Sequence, residues 1–187
     1  MNIPIQHIIG TVALISLVIS AGLVFSVFTS AAENDNKKQQ LNQIAENIAL
    51  NLVEMTNLVT FANYTYSPII KILDLPTDLS GSTYTIELVD GTNLGEGYSV
   101  RANLTSNQHI TASSLIPTNS GINLRIYANP ATTQISAGID STAVICSNIV
   151  YGKSHTVVWG RAGLEINETD PEEISIRFIE VGLGWLP

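Results

Sequence analysis

The feature that most constrains this chain is an uncharged apolar run near its N-terminus. No Asp, Glu, Lys or Arg occurs before Glu33, and residues 8–32 are nearly all apolar or small. This run exceeds the roughly 20 residues that a helix needs to span a bilayer. Each large apolar side chain gains roughly 1.5–3 kcal/mol when it is buried from water. The run therefore predicts a segment that is covered by lipid or by other apolar helices.

Three interpretations of this run compete. A cleaved secretory signal would use the small residues 30–32 as its cleavage site. However, the run is longer than the roughly 7–15 apolar residues of a signal peptide, and no basic residue precedes it. We therefore expect the segment to be retained, either as a plain membrane anchor or as an anchor that is also an assembly surface.

The helical pattern continues after the apolar run ends. A polar patch at 33–40 is followed by apolar residues that recur every three or four positions, which places them on one helix face. Residues 4–60 thus predict one helix, which would be roughly 80 Å long at 1.5 Å per residue. We expect its amphipathic half, residues 33–60, to pack under a globular head. The predicted helix-to-head packing residues are Leu41, Ile44, Ile48, Leu52, Met55 and Val59.

Small residues lie four positions apart in the apolar half, residues 4–32. They are Ser16 and Ser20, followed by Gly22, Ser26 and Ser30. Small side chains at this spacing let helix backbones approach closely, although any apolar helix contains some by chance. The pattern is compatible with helix–helix packing but does not require it.

The remainder of the chain has the pattern of a β-rich domain. Residues 83–90 and 97–104 alternate apolar and polar side chains and flank a Gly-containing loop, which predicts a hairpin. Short strands at this spacing, with no second helical stretch, predict an antiparallel sandwich or small barrel. Because it holds two prolines, the segment 67–79 is predicted to be a linker or packing loop. The other strand-like runs are 109–116, 122–128, 132–139, 142–151, 155–166 and 173–186.

These patterns together predict the α+β fold class. One long N-terminal α-helix, residues 1–62, would be followed by an antiparallel β-sandwich-like head, residues 63–187. The helix would have an apolar half at 4–32 for the membrane or for assembly, and an amphipathic half at 33–60.

Composition and motifs argue against nucleic-acid binding and catalysis. The net charge is −8 with only 8 Lys and Arg residues, whereas a nucleic-acid surface needs a basic stripe. The histidines His7, His109 and His155 have no metal-ligand spacing, and no nucleophile-elbow, P-loop or dinucleotide motif occurs. We therefore predict no catalytic residue, no cofactor and no metal site.

Two further features of the sequence, a single cysteine and a cluster of acidic residues, are interpreted as structural and not as functional sites. The single cysteine, Cys146, lies in an apolar strand-like run and is predicted to be a packed, inert thiol. Acidic residues between 165 and 173 could hold calcium, but they lack a calcium-binding loop pattern. A solvated turn is the favoured interpretation of that cluster.

Three sequons, at Asn63, Asn103 and Asn167, are candidate N-glycosylation sites if the head lies outside the cytoplasm. The positive-inside rule gives a contrary indication, because Lys37 and Lys38 follow the span and nothing basic precedes it. The uncharged N-terminus and the low-lysine β-rich domain nevertheless favour an outside head.

An uncharged N-terminal helix that continues as an amphipathic helix into a β-rich head resembles subunits of the type IV filament superfamily. The likeness is architectural, rests mostly on residues 4–60, and is strongest to archaeal type IV pilins and archaellins. It implies that the apolar helices leave the membrane and bundle in the filament core, with the heads outside. The residues that the resemblance assigns to the core are Ile8, Ile9, Val12, Leu14, Ile15, Leu17, Val18, Ile19, Leu23, Val24, Phe25, Val27 and Phe28.

Two departures from the family pattern accompany the resemblance. No leader bearing Lys or Arg precedes the helix, and the acidic residue that bacterial pilins carry near the mature N-terminus is absent. Gln6 and His7 are the polar side chains at that place, which favours the archaeal branch.

The expected function is that of a structural subunit of an extracellular archaeal type IV pilus-like filament that serves adhesion or motility. Its partners would be copies of itself, the membrane before assembly, and an assembly platform with a separate ATPase. The alternative is a membrane-anchored extracytoplasmic β-domain protein, either an archaellum accessory or an envelope-binding protein. A surface hydrolase is the third and least supported hypothesis, because no convergent acid/base pattern occurs in the head.

Overall fold

The computed structural model of the protein describes residues 5–61, 68–92, 96–118, 123–127, 133–135, 144–146, 149–152, 155–165 and 176–186. For residues 5, 6, 133–135, 144–146, 165, 176 and 177 it describes the backbone without the side chain. Within these ranges the chain forms one helix and ten strands. They are α1 (Ile5–Phe61), β1 (Ile69–Leu73), β2 (Tyr84–Gly91), β3 (Gly97–Leu104), β4 (Thr111–Leu115), β5 (Asn123–Ile126), β6 (Thr133–Ile135), β7 (Val144–Cys146), β8 (Ile149–Tyr151), β9 (Thr156–Glu165) and β10 (Ile176–Trp185).

The chain divides into two compact units, Met1–Lys37 and Lys38–Pro187. The division falls inside α1, whose 57 residues contribute to both units. The end of α1 at Phe61 and the boundary between the compact units therefore fall at different places in the chain. This difference arises because the second half of α1 shares a hydrophobic core with the strands.

The strands form two four-stranded sheets and a separate strand pair. The first sheet has the order β1-β9-β10-β5, the second has the order β4-β3-β2-β8, and β6 pairs with β7. All of these pairs are antiparallel except β10 with β5, which is parallel. Neither sheet closes on itself within the described residues, so the described strands do not form a barrel. The predicted α+β class, with one long helix followed by a β head rich in antiparallel pairs, is confirmed.

The predicted hairpin is formed by β2 and β3. The two strands pair in register from Tyr84 opposite Leu104 to Gly91 opposite Gly97. Gly97 has a φ of 74°, a left-handed conformation that glycine adopts without the steric cost of a β-carbon. The backbone N–H of Glu96 donates to the carbonyl of Gly91 at 3.0 Å and helps to close the turn.

A single large hydrophobic core includes α1 and one face of each sheet. Leu52 of α1, Ile86 of β2 and Val158 of β9 are all buried in it. The helix packs against β9 at a glycine: a β-carbon built on Gly160 would lie 2.8 Å from Met55 Cγ. Glycine in a strand commonly marks such a close approach of another element.

The opposite face of the first sheet carries a second, smaller cluster around Trp159. The indole is fully buried and packs edge-to-face with Tyr127, with 5.3 Å between ring centroids. Its Nε1 donates to the carbonyl of Leu183 at 3.3 Å. On the same face, Arg161 Nη2 lies 2.6 Å from Glu180 Oε2, and the Glu180 side chain is largely shielded from water.

Two sequence interpretations of the head need correction. The predicted loop at 67–79 contains β1, which pairs with β9 from Ile69 opposite Gly160 to Leu73 opposite Thr156. The prediction was wrong because β1 is a short edge strand whose ladder depends on a distant partner, and the two prolines lie outside it. The predicted single run at 142–151 holds two strands in different sheets, since β7 pairs with β6 and β8 pairs with β2. The expected burial of Cys146 concerns a side chain outside the described set.

Candidate functional site

The N-terminal half of α1 presents an extended apolar surface. Every described side chain from residue 7 to residue 36 is exposed in the isolated chain. The thirteen residues assigned above to a filament core are between 53% and 74% exposed, and we call them the apolar surface. Soluble monomers rarely expose contiguous apolar patches larger than a few hundred Å². The apolar surface therefore requires a cover, whether lipid, other helices, or both.

The two threonine hydroxyls in the N-terminal half of α1 have partners in the helix itself. The hydroxyl of Thr11 donates to the carbonyl of His7 at 2.8 Å, and that of Thr29 donates to the carbonyl of Phe25 at 3.0 Å. No ionisable side chain occurs from residue 8 to residue 32. Because an unpaired polar group is costly in an apolar environment, this arrangement suits either lipid or a helix bundle.

The small residues of this half leave the helix backbone open to approach. A β-carbon built on Gly10 or Gly22 would meet no described atom within 4 Å. The hydroxyl of Ser20 donates to the carbonyl of Ser16 at 2.8 Å, so it does not extend a free donor from the helix. A neighbouring helix could therefore come close along this side.

By length and composition, α1 is the one described helix that is able to cross a membrane. A secretory signal near an N-terminus passes the same test. The apolar run thus fits a membrane-inserted segment or a signal sequence.

In the second half of α1, one face of the helix is buried and the opposite face is exposed. The six predicted helix-to-head residues are at most 6% exposed and belong to the large core. Between them, polar residues such as Gln43 and Glu46 remain exposed. An ion pair links this half to β1, because Lys71 Nζ lies 2.5 Å from Glu54 Oε2. Both partners are solvated, so the pair contributes at most about 1 kcal/mol.

Among the three sequons, Asn103 lies within the described part of the chain, near the end of β3. Asn63 and Asn167 fall outside the described residues. The Asn103 side chain is half-buried on the outer face of the second sheet, and its Oδ1 is buried without a hydrogen-bond partner among the described groups. The acidic cluster at 165–173, interpreted as a solvated turn, also lies largely outside the described ranges.

Described residues of the unit Lys38–Pro187 line at least two concave regions. One, of about 460 Å³, lies between α1 and the segment 74–80 and includes Asp74 and Asp78. Asp78 already accepts a hydrogen bond from the backbone N–H of Gly81 at 3.0 Å. The other, of about 700 Å³, lies over the second sheet and includes Asn103 and Tyr151. Among the described residues, no group of three His, Cys, Asp or Glu side chains could hold a metal ion.

Two tyrosines, the fully buried Tyr84 and the half-buried Tyr98, have raised pKa values and link separate segments of the structure. Tyr84 donates to the carbonyl of Pro76, and burial, together with the carboxylate of Asp78, raises the pKa of Tyr84 to about 12. Tyr98 donates to the carbonyl of Leu124 at 2.8 Å, and burial is the main cause that raises its pKa. Each phenol thereby stays neutral at ordinary pH and holds a strand to another segment.

Comparisons of the chain with protein-family models, with curated proteins and with solved structures found no match. The functional interpretation therefore depends on the apolar surface and the concave regions themselves.

Sequence reasoning missed the concave region over the second sheet. Its side chains come from Thr85, Arg101, Gln108 and Tyr151, which are far apart in the chain. The alternation in β2 and β3 indicated which side chains face outward. Nothing in the sequence indicated that β8, with Tyr151, lies beside β2.

Proposed function

We propose that this chain is a structural subunit of an extracellular archaeal type IV pilus-like filament, in which the apolar surfaces of neighbouring copies bundle together. The observation that carries the proposal is the apolar surface itself, thirteen large side chains that a single copy leaves uncovered. No ionisable group interrupts it between residues 8 and 32. In such a filament the chain would act by polymerising, and adhesion or motility would be properties of the polymer.

The energetics of the apolar surface favour burial among copies once the helix leaves lipid. At roughly 1.5–3 kcal/mol for each side chain, thirteen residues represent about 20–40 kcal/mol before ordering costs are subtracted. Inside lipid the apolar side chains are already removed from water, so helix association there depends on close van der Waals packing. Outside lipid, by contrast, the apolar side chains are removed from water only where other apolar helices cover them. Lipid would thus cover the apolar surface before assembly, and neighbouring subunits would cover it in the filament.

The continuation of α1 beyond the apolar run also supports a filament subunit. A simple anchor needs no helix beyond the bilayer, yet α1 continues to Phe61 and buries its second stripe in the head. The same helix thus contributes to the apolar surface and to the core of the head, which a plain anchor would not need.

The test is to identify the chain in isolated surface fibres. Fibres would be sheared from cells, sedimented and examined by negative-stain electron microscopy, and their protein would be identified by peptide mass spectrometry. We expect the chain to be a major component of regular fibres. Its absence from every fibre preparation would overturn the proposal.

The second candidate is a membrane-anchored extracytoplasmic β-domain protein, such as an archaellum accessory or an envelope-binding protein. It is favoured by the presence of one described helix with the length and composition of a membrane span. Partitioning separates the two candidates, because a resident anchor stays with the lipid fraction after shearing and is released only by detergent. A filament subunit instead appears in the sheared, sedimentable material without detergent.

A further inference from the structure

The outer face of the second sheet carries a row of side chains in direct cross-strand register. Thr85 of β2 lies opposite both Tyr151 of β8 and Asn103 of β3, and Asn103 lies opposite Thr111 of β4. Because neighbouring strands lie about 4.7–4.9 Å apart, the row extends over about 14 Å. The alternate residues of the same strands, such as Ile86, face the core. The row is therefore a continuous feature of the solvent side.

This row forms the floor of the concave region of about 700 Å³, which we call the sheet groove. Ligand pockets have volumes of about 300–1,000 Å³, so the groove has room for several sugar-sized rings. Thr105 and Gln108 also line it and add hydroxyl and amide groups to those of the row. The groove is therefore rich in uncharged groups that can donate and accept hydrogen bonds.

Charge within the sheet groove is low. Among the described residues that line it, Arg101 is the one charged side chain, and its Nη1 lies 3.9 Å from Glu87 Oε2 of the adjacent strand. The carboxylate balances the guanidinium, so the groove has little net attraction for anions. An apolar ligand is also disfavoured, because it would leave the hydroxyl and amide groups without partners.

One of the residues that line the groove, Asn103, holds an acceptor without a hydrogen-bond partner among the described residues. This acceptor, Asn103 Oδ1, is buried. Such a group is costly when it is left without a partner, and a native structure normally provides one from a ligand, water or protein group. A rotation of the Asn103 side chain that brings Oδ1 to the groove surface would let a ligand hydroxyl satisfy this acceptor.

An exposed aromatic ring stands at one end of the row. Tyr151 is 61% exposed and lies on the same face as Asn103, two strands away. An aromatic face is electron-rich and provides a flat apolar platform for the C–H face of a ring. We propose that the sheet groove binds a neutral carbohydrate chain, with one sugar ring stacked on Tyr151 and sugar hydroxyls bonded along Thr85 and Asn103. The groove lies within the unit Lys38–Pro187, so this role does not require polymerisation.

The carbohydrate can come from two sources. Asn103, Leu104 and Thr105 form a sequon, so a glycan attached to Asn103 of the same chain would lie directly over the groove. Alternatively, an external glycan would enter an unmodified groove. Both sources present the same hydroxyl groups and C–H faces, and the two arms of the experiment distinguish them.

The first arm tests an external glycan. The full chain would be produced in a host without N-glycosylation and held in a detergent whose head group contains no sugar, because a sugar head group would compete. Mannotriose, maltotriose and chitotriose would each be titrated to 10 mM and followed by saturation-transfer NMR. We expect saturable binding of at least one trisaccharide, and we expect Tyr151→Ala to weaken it at least tenfold. The control is Leu115→Ala, which alters a 66% exposed side chain on the same sheet but outside the groove and should leave affinity unchanged.

The second arm tests an attached glycan. The full chain from its native host would be analysed by peptide mass spectrometry for modification of Asn103 and by NMR for the ring signals of Tyr151. If the attached glycan occupies the groove, Thr105→Ala removes it and shifts these signals. The control is the same chain made in the host without N-glycosylation, which leaves Thr105 unchanged, so a shift seen in both comparisons comes from the glycan and not from the substitution.

The outcome of the two arms decides the proposal. Binding in the first arm identifies an external ligand, and a glycan-dependent shift at Tyr151 in the second identifies the attached one. If no trisaccharide binds the unmodified chain and no sequon-dependent change occurs at Tyr151, the groove is not a carbohydrate site.

Discussion

The two halves of α1 belong to the same helix and have opposite relations to water. In the first half, Leu17 is 69% exposed although it is as apolar as any core residue. In the second half, Leu52 is fully buried against the strands. The difference lies in the placement of charged residues: the first half has none, whereas from residue 41 onward the second half keeps them on the exposed face, opposite the buried apolar stripe. A helix with an apolar stripe can be completed by its own chain, but a helix that is apolar on all sides needs lipid or other molecules.

The largest expected contrast between the halves is the effect of truncating one leucine in each. Leu52→Ala should lower the free energy of unfolding by about 2–5 kcal/mol, because it removes a buried side chain and leaves a cavity. Leu17→Ala should change it by less than about 0.5 kcal/mol, since Leu17 has no core to leave. Urea unfolding of the full chain in detergent, followed by the fluorescence of Trp159 and Trp185, measures both. Equal effects of the two substitutions would contradict the contrast.

If the apolar surface bundles in a filament as proposed, a charge placed in the first half should prevent fibre assembly without unfolding the head. Ile19→Asp puts a carboxylate in the middle of the apolar run, at a cost of about 2.5–3.5 kcal/mol for each copy in a bilayer. We expect the chain to disappear from sheared fibres, while the urea midpoint of the head is unchanged. The matched control is Gln43→Glu, on the exposed polar face of the second half, which should leave fibres intact. Normal fibre formation by Ile19→Asp would refute the bundling role of the apolar surface.

The close approach of the second half to β9 predicts a smaller effect at Gly160. A β-carbon there would lie 2.8 Å from Met55 Cγ and 3.1 Å from Val59 Cγ2. Gly160→Ala should therefore cost about 1–3 kcal/mol through overpacking. In a Met55→Ala background, the same change should cost less, because the crowded side chain is gone. A double-mutant cycle by urea unfolding measures the coupling, and additive effects would show that the two residues do not clash.

The smallest effect is expected at Tyr84. Its deprotonation should lower the stability of the head at alkaline pH and leave the apolar half of α1 unaffected. Tyr84→Phe removes the hydrogen bond to Pro76 and should cost about 0.5–1.5 kcal/mol at pH 7. The pKa of Tyr84 is about 12 in the folded chain, above the ordinary tyrosine value of 10.0, so the folded chain retains this proton more strongly than the unfolded chain does. Its contribution to stability is therefore complete below about pH 10 and is lost as pH rises from about 10 towards 12.

The measurement for Tyr84 is the urea midpoint as a function of pH in both proteins. The midpoint of the unmodified chain should fall between about pH 10 and pH 12, and that of Tyr84→Phe should fall less steeply. The run from residue 8 to residue 32 has no ionisable group, so its helical signal in circular dichroism should not change over this interval. Identical slopes for the two proteins would show that Tyr84 does not cause the loss.

Much of the fold was predictable from local patterns. The long helix, the hairpin of β2 and β3, and the long strands β9 and β10 all lie where the periodicity of apolar residues predicted them. These predictions succeeded because apolar residues recur every 3.6 positions in a helix and every 2 positions in a strand. Both periods involve residues that are near in the chain, so the sequence displays them directly. The end of the helix near residue 61 was also visible, because the stripe of buried residues stops at Val59.

Pairing between distant segments was not predictable. β1 resembled a loop because its backbone partner, β9, is more than 80 residues away. The sheet groove had no local signal for the same reason. Asn103 and Tyr151 come together only because their strands, β3 and β8, pair with the two edges of β2. Backbone hydrogen bonds are alike in every strand, so they do not record in the sequence which strands will be neighbours.

The sequence by itself determined that residues 8–32 need an external cover and that the next part of the helix can be covered by its own head. Both conclusions depend only on which side chains are apolar and how they are spaced. The tertiary structure decided which strands form that cover, that a glycine lets the helix approach β9, and that polar side chains from separate strands share one groove. These features depend on contacts between residues distant in sequence, and such contacts are selected by the packing of the whole core.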